Sequence, residues 1–321
     1  MKTKTILITG GTSGLGREAA LLLAAQEHKV FAASRKPPAE PMPGVTYVPL
    51  DVRSAESIQT CVQTVLAQAG QIDVLVNNAG YAGPAGASEE VALDEVHALF
   101  ETDFFGVVQV VNAVLPGMRQ RRSGLILNIS SAAGRVALPP FFGFYAASKH
   151  ALEGYSKALS NDLRPLGIRV AVIEPGYFAT NIHNTFKPPA HPLDDFAIAR
   201  EHAMAVDRFS LQYGRAPRHF ARLISHLING TPRRLRYPIG LDVHFILVVR
   251  SLLPETWAES YLNWLLMGGK SVKLTDDDGT LRRKIGFRRL MLESRLADRL
   301  MTGFWIVLAL LSVASLIWRL K

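Results

Sequence analysis

A tyrosine and a lysine stand four residues apart in "FFGFYAASKHAL" (141–152): Tyr145 and Lys149, with only small residues between them. On a helix, residues at this spacing share one face. The ammonium of Lys149 then lies near the phenol of Tyr145 and favours its ionised form. Such a pair suits proton transfer to or from an oxygen. The spacing alone describes an exposed helical turn equally well, so the surrounding elements must decide.

Those elements read as alternating strands and helices. "TILITGGTSGLGREAALLLAAQ" is a buried strand, a turn punctuated by Gly10, Gly14 and Gly16, and a helix apolar on most sides. Backbone N–H groups at such a helix N-terminus face a phosphate readily, and glycine lets the backbone come close. Strand-like runs recur at 29–35, 46–52, 73–80, 124–131, 168–176 and in "LRYPIG", with helical patterns such as "SAESIQTCVQTVLAQAG" between them. The alternation predicts an α/β fold, a Rossmann-type doubly wound parallel sheet with helices on both faces. Ligands of such sheets bind beyond the carboxyl ends of the strands. Polar or glycine-containing strand ends fall there: Thr9-Gly10, Ser34-Arg35, Asp51-Val52, Asn78-Ala79-Gly80, Ser130-Ser131 and Pro175-Gly176.

Over roughly residues 3 to 250 the chain resembles the short-chain dehydrogenase/reductase family. The resemblance rests on "TGGTSGLG" (9–16), "LDV" (50–52), "NNAG" (77–80), "NISS" (128–131), "YAASK" (145–149) and "EPGYFAT" (174–180), in the family's order. It implies that Tyr145 is the general acid of carbonyl reduction, or the base of the reverse reaction. It implies that Lys149 keeps the phenol acidic and binds the nicotinamide ribose. Ser131 resembles the serine that hydrogen-bonds the substrate oxygen. It precedes Tyr145 by 14 residues, one more than expected, which keeps Ser130 as a rival. Asp103 stands where the family usually has asparagine, a residue that helps hold a water of the proton relay, largely through its backbone carbonyl. A carboxylate there is either part of that relay, shifting its pH dependence, or a stabiliser of a helix kink.

By the same resemblance, Gly10, Thr12, Ser13, Gly14, Leu15 and Gly16 contact the cofactor. Asp51 and Val52 border its adenine, Asn78, Ala79 and Gly80 line its middle, and Pro175, Gly176 and Thr180 flank the nicotinamide amide. The second strand ends in Ser34 and Arg35. No carboxylate stands there to take a ribose 2′-hydroxyl, and an arginine is present to pair with a 2′-phosphate, which points to NADP(H). Arg17 is read as a helix-surface residue. His183, His191 and His202 match no compact metal motif, and no metal is expected.

The expected layout is a catalytic domain over 1–250 with a substrate lid at about 181–232, a helical and basic linker over 251–299, and a membrane span over 300–318. "LMTGFWIVLALLSVASLIW" carries no charge, is bracketed by Arg299 and Arg319, and has Trp305 and Trp318 near its ends. As a helix it would cover roughly 28 Å, close to the hydrocarbon thickness of a bilayer. The alternative is a C-terminal helix buried against the body or a partner. The net charge of +9 looks like that of a nucleic-acid binder, yet +7 of it lies from residue 281 onward, beside this apolar span. No nucleic-acid partner is expected, and the basic flank puts the catalytic domain on the cytoplasmic side. The apolar run at the N-terminus is too short for a secretory signal, and a single cysteine, Cys61, excludes an internal disulfide framework.

Phe104, Phe105, Phe141, Phe142, Phe144, Tyr177 and Phe178 cluster near the catalytic elements, some of them as core and some suited to an apolar pocket. "RYPIG" and "LLPETW" resemble the hydroxysteroid and retinol branch of the family. The function expected is a membrane-anchored NADP(H)-dependent oxidoreductase interconverting a lipophilic ketone or aldehyde and its alcohol. The alternative is a non-catalytic, nucleotide-binding sensor or scaffold of the same fold. A homodimer is left open.

Overall fold

Runs of four to eight residues form the strands, the central ones apolar and buried on both faces, the two outermost only partly buried. They are β1 (Thr5–Thr9), β2 (Lys29–Ser34), β3 (Val45–Pro49), β4 (Val74–Asn77), β5 (Gly124–Ile129), β6 (Ile168–Pro175) and β7 (Arg236–Ile239). The computed structural model describes residues 3–254, apart from 137–139, 181 and 183–184, together with 256–258 and 262. The strands make one parallel sheet in the order β3-β2-β1-β4-β5-β6-β7. Each strand is shorter at its carboxyl end than the sequence pattern suggests, because the polar residues there turn out of the ladder.

Alternation along the strands separates two cores. Leu7, Phe31, Leu75, Ile126 and Val170 face α2 (Ala55–Ala69), α4 (Gly106–Arg121) and α5 (Gly143–Leu163). Ile6, Ile8, Val30, Val76, Leu127 and Ile173 face α1 (Gly14–Ala24) and α7 (Arg218–Asn229). The sheet is thus doubly wound, as the sequence predicts. Its order reverses between β1 and β4, which opens the crevice where such sheets bind ligands.

Helix α3 (Leu93–Phe100) runs into α4 through a π turn at Glu101–Phe105. The whole stretch Leu93–Arg121 is long and apolar enough to cross a membrane. It is a core helix nonetheless: Val107, Val110, Val111, Val114 and Met118 fill the space between sheet and α2.

The register sets a polar row at the crevice edge, with Thr9 beside Asn77 and Asn77 beside Asn128. Asn77 Nδ2 donates to Asn128 Oδ1 at 2.9 Å, and Asn128 Nδ2 donates to Ser156 Oγ at 2.9 Å. These buried bonds fix α5, which carries Tyr145 and Lys149, against β4 and β5. A second network ties α5 to the sheet end. Arg236 Nε lies 2.8 Å from Glu153 Oε2 and 3.3 Å from Glu174 Oε1, and Arg135 lies 3.1 Å from Glu174.

The lid contains a helix that its mixed composition does not advertise, α6 (Asp194–Gln212), followed by α7. His202, on α6 within the lid, is buried, and burial pushes its pKa down. Helix α8 (Leu241–Leu252) follows β7, and Phe245 and Val249 pack against Ala258 and Leu262. The expected span at 300–318 and nearly all of the 251–299 linker lie outside the described residues.

One buried carboxylate holds the lid. Glu90 accepts from the backbone N–H groups of Ala87 at 2.7 Å and Leu193 at 2.8 Å, and it pairs with Arg200 on α6. Burial acts to raise its pKa, but those two amides and Arg200 outweigh burial and hold it below the ordinary glutamate value. A carboxyl depressed on folding binds fewer protons than its unfolded counterpart. Its contribution is therefore complete above about pH 5 and fades as pH falls through the folded value. Glu90→Gln is expected to shrink the loss of Tm between neutral pH and about pH 4. Arg200→Ala, which strands a buried charge, is expected to cost about 3 kcal/mol at neutral pH. Thermal denaturation across pH measures both.

Candidate active site

The glycine-rich turn follows β1 and is pinned from β4. Asn78 Nδ2 donates to the carbonyls of Thr9 and Gly10, each at 3.1 Å. The Thr9 hydroxyl accepts from the N–H groups of Asn78 and Ala79, each at 3.0 Å. The Asn78 side chain, expected to line the cofactor, thus serves to shape the turn. A Cβ on Gly16 would sit 2.4 Å from the Gly10 carbonyl oxygen and 2.6 Å from Asn78 Nδ2, so only glycine lets α1 start this close to the strand end. The space above Gly14 is different. A Cβ there would meet only Thr180, at 3.8 Å.

Ser13, the residue before α1, makes no side-chain cap, and the first turn of α1 carries no acidic residue. Open space over uncapped N–H groups suits an anionic phosphate. Thr12 and Ser34 join the turn to the end of β2 through hydroxyls 2.8 Å apart. Arg35 is exposed at this edge. Arg17 pairs at the surface with Glu40 at 3.0 Å, in keeping with a helix-surface role. Asp51 is gripped by Arg53 at 2.8 Å, which with help from Arg35 holds its carboxyl below the usual range. Val52 is buried in the core beneath Gly106.

The chemical end of the crevice lies where β5 and α5 meet. Ser131 follows β5 and opens a short 3-10 turn, Ala132–Gly134; its Oγ accepts from Ala133 N at 3.1 Å. The same hydroxyl lies beside the Tyr145 phenol and acts to lower its pKa. Ser130 is buried beneath Gly134. The geometry therefore favours Ser131 over its neighbour despite the extra residue in the connection. Lys149, one turn along α5, holds its Nζ 5.6 Å from the centre of the Tyr145 ring.

Asp103 lies in the π turn, is fully buried, and places Oδ2 3.0 Å from Lys149 Nζ. Its Oδ1 accepts from Tyr81 N at 3.1 Å. The side chain, rather than only the backbone, thus enters the constellation, and the helix irregularity is real as well. A Cβ on Gly80 would come within 3.3 Å of both Asp103 oxygens and 3.4 Å of Lys149 Nζ, which explains a glycine beside the pair.

The charges compete at Tyr145. Burial pushes its pKa up; Lys149 and the Ser131 hydroxyl pull it down; Asp103 and Asp207 push it up again, and the net direction is upward. Burial opposes the charge on Lys149, yet the Asp103 carboxylate and Tyr145 more than offset it, so the ammonium is retained.

The sequence reading missed Asp207, a buried carboxylate on α6. It hydrogen-bonds the Tyr177 phenol, as does Ser210, and burial together with Asp207 and Asp242 drives that phenol far above its ordinary pKa. Nothing in the local spacing around Asp207 marks it; only the fold brings α6 over the strand ends.

The aromatic cluster divides. Phe178 joins the core against Phe220, and Phe104 packs on Tyr155. Phe141 and Phe142 reach the lid at Phe196 and Phe186, with ring centres 6.2 and 4.8 Å apart. Among the described residues there is no cluster of metal-ligating side chains.

Residues 4–190 match the family model of the short chain dehydrogenases. The chain belongs to the short-chain dehydrogenase/reductase family. This is a family of oxidoreductases whose fold binds nicotinamide dinucleotides, and the open, uncapped turn at Gly14 fits such a group. A 3-ketodihydrosphingosine reductase of Bacteroides thetaiotaomicron is 44% identical over 180 residues, 56% of this chain and 66% of that protein. Retinol dehydrogenase 8 of Bos taurus is 34% identical over 254 residues, 73% of this chain and 80% of that one. The crystal structure of a short-chain dehydrogenase from Streptomyces avermitilis superposes with a TM-score of 0.69 at 31% identity, covering 82% of this chain and 96% of that one. The family match ends at residue 190, so α6, α7, β7 and α8 lie beyond it.

Proposed function

We propose that this short-chain dehydrogenase/reductase is a membrane-anchored, NADP(H)-dependent oxidoreductase that reduces a lipophilic ketone or aldehyde, or oxidises the corresponding alcohol. The observation that carries the reading is the Tyr145 phenol set beside the Ser131 hydroxyl, with the Lys149 ammonium 5.6 Å from its ring centre. When bound, the nicotinamide supplies or accepts the hydride. The chain's own residues handle the oxygen and its proton. The Ser131 hydroxyl donates to the substrate oxygen and orients it. Tyr145 gives that oxygen its proton in reduction and takes it back in oxidation. Lys149 holds positive charge against the phenol and, by the family resemblance, hydrogen-bonds the nicotinamide ribose. Asp103 holds Lys149 in place from the other side.

A lipophilic substrate is supported by the aromatic contacts between the 141–142 segment and the lid. The names of two relatives, a sphingoid-ketone reductase and a retinol dehydrogenase, agree with it. NADP(H) is supported by the end of β2, where no acidic side chain stands and Arg35 is exposed. A catalytic unit over 1–250 is supported by a sheet whose last strand among the described residues ends at Ile239. Anchorage rests on the charge-free segment 300–318, its flanking arginines and its tryptophans. The basic segment before it favours a catalytic domain on the cytoplasmic side.

Tyr145→Phe keeps the ring and removes the exchangeable proton. With a lipophilic ketone such as retinal, a steroid ketone or a long-chain keto lipid, turnover is expected to fall about 10³-fold while dinucleotide binding persists. Near-normal turnover would remove Tyr145 from the mechanism. Arg35→Ala is expected to weaken NADPH relative to NADH by about 1.5–3 kcal/mol, read from the ratio of kcat/KM values. An unchanged ratio means the phosphate is recognised elsewhere or not at all. Truncation after Thr280 is expected to give a soluble protein that still reduces a small water-soluble ketone. The full chain is expected to stay in the membrane pellet through high salt and alkaline carbonate. Release by salt would replace the span with a surface-bound helix, and an unfolded truncation would favour a C-terminal helix buried in the body.

A further inference from the structure

Asp103 does more than occupy a place in the constellation. Burial pushes the pKa of its carboxyl up, against the pull of the Lys149 ammonium and the Tyr81 amide. Ionised beside that ammonium, it puts a negative charge where a neutral amide would also fit, because its one backbone partner, Tyr81 N, needs only an acceptor oxygen. The carboxylate is fully buried and stands 3.0 Å from the ammonium that faces the Tyr145 ring. Removed from water, the two charges act strongly on their immediate surroundings. From the position of Tyr145 they form a nearly neutral pair, so the ammonium's pull on the phenol is largely cancelled.

Resting on the reading of Tyr145 as proton donor and acceptor, we propose that Asp103 neutralises Lys149 and thereby keeps Tyr145 in its proton-donating form through neutral and mildly alkaline pH. Asp103 is in this sense a positioning residue, since it acts through Lys149. It sets the pH at which the phenol changes from donor to acceptor. It does not alter the equilibrium of the reaction, which no side chain of a catalyst can do. The ionisable groups facing Tyr145 are Lys149 on its own helix, Asp103 from the π turn and Asp207 from α6, with the Ser131 hydroxyl beside them. Burial and the two carboxylates act upward on the phenol; Lys149 and Ser131 act downward. Removing the charge of Asp103 leaves Asp207 in place and exposes Tyr145 to the uncancelled ammonium.

The test is an ultraviolet titration of the Tyr145 phenolate in the full chain, taken as the difference between each protein and the same protein carrying Tyr145→Phe. In Asp103→Asn the midpoint is expected to move to lower pH by roughly one pH unit or more. Asp103→Ser, also neutral but smaller, is a second variant in case the amide disturbs folding, and it must move the midpoint the same way. A purely structural Asp103 would leave the midpoint where it is in the folded variants. An unchanged or raised midpoint overturns the proposal, including the case in which Lys149 loses its own proton instead. The titration uses neither substrate nor dinucleotide, so it separates this inference from the function above. A protein that shows the shift yet reduces no lipophilic ketone would refute that function alone. If both readings hold, the alkaline limb of ketone reduction is expected to move down with the phenolate midpoint.

Discussion

Two opposite charges placed together out of water, Asp103 and Lys149, set the terms for the rest of this site. Each ion gives up hydration on burial, and a pair of this kind is seldom a net source of stability. It persists only where surrounding groups hold the geometry. The π turn swings Asp103 inward from an otherwise regular helix, and Tyr81 N occupies its second oxygen. Gly80 leaves the room that a Cβ would fill. On the other side, the Asn77–Asn128–Ser156 bonds and the Arg236–Glu153 pair hold α5 so that Lys149 cannot drift from its partner. The two cores beneath these polar contacts supply the burial; the polar contacts supply the register.

The same arrangement explains why the lid belongs to the chemistry. Glu90 ties α6 to the segment after β4, and that segment is itself bonded to the loop before Tyr145 through Gly86 N and the Phe141 carbonyl, 2.9 Å apart. Ala85 N donates to the Lys187 carbonyl, and Lys187 N to the Gly83 carbonyl, across the same seam. The lid therefore rests on the 83–90 segment along several bonds, and that segment on the catalytic loop. Through Asp207 it also brings a carboxylate whose charge reaches Tyr145. Lid position and phenol acidity are coupled by geometry, because both depend on where α6 lies.

What the sequence makes legible are features with a local cause. Buried parallel strands read as continuous apolar runs, the glycine turn reads from Gly10, Gly14 and Gly16, and Tyr145 and Lys149 read from helical spacing. The polar strand ends point to the crevice for the same reason. Features that depend on distant partners are not legible. Helix α6 has weak amphipathic patterning and is held by Glu90, about a hundred residues earlier in the chain. That the Asn78 side chain braces the glycine turn is likewise visible only in the fold. The choice between Ser130 and Ser131 depends on which hydroxyl escapes from under Gly134, a matter of backbone path that spacing alone does not resolve.

Asp103 lies between these cases. Its identity is visible in the sequence, but its meaning depends on which of its atoms faces Lys149. A backbone role would make the change from amide to acid nearly silent. The structure brings the side chain itself into the cluster, with Oδ2 3.0 Å from the ammonium. One oxygen-for-nitrogen difference then becomes an ionisable group inside a desolvated cluster, where burial raises its own pKa and its ionised form acts on Tyr145 and Lys149 together. Tyr145 is pushed up, Lys149 is held charged, and the space at Gly80 is fixed by the pair. An exposed carboxylate at the same separation would be screened and would do none of this. Burial is therefore what turns a conservative-looking residue into a determinant of the site's acidity.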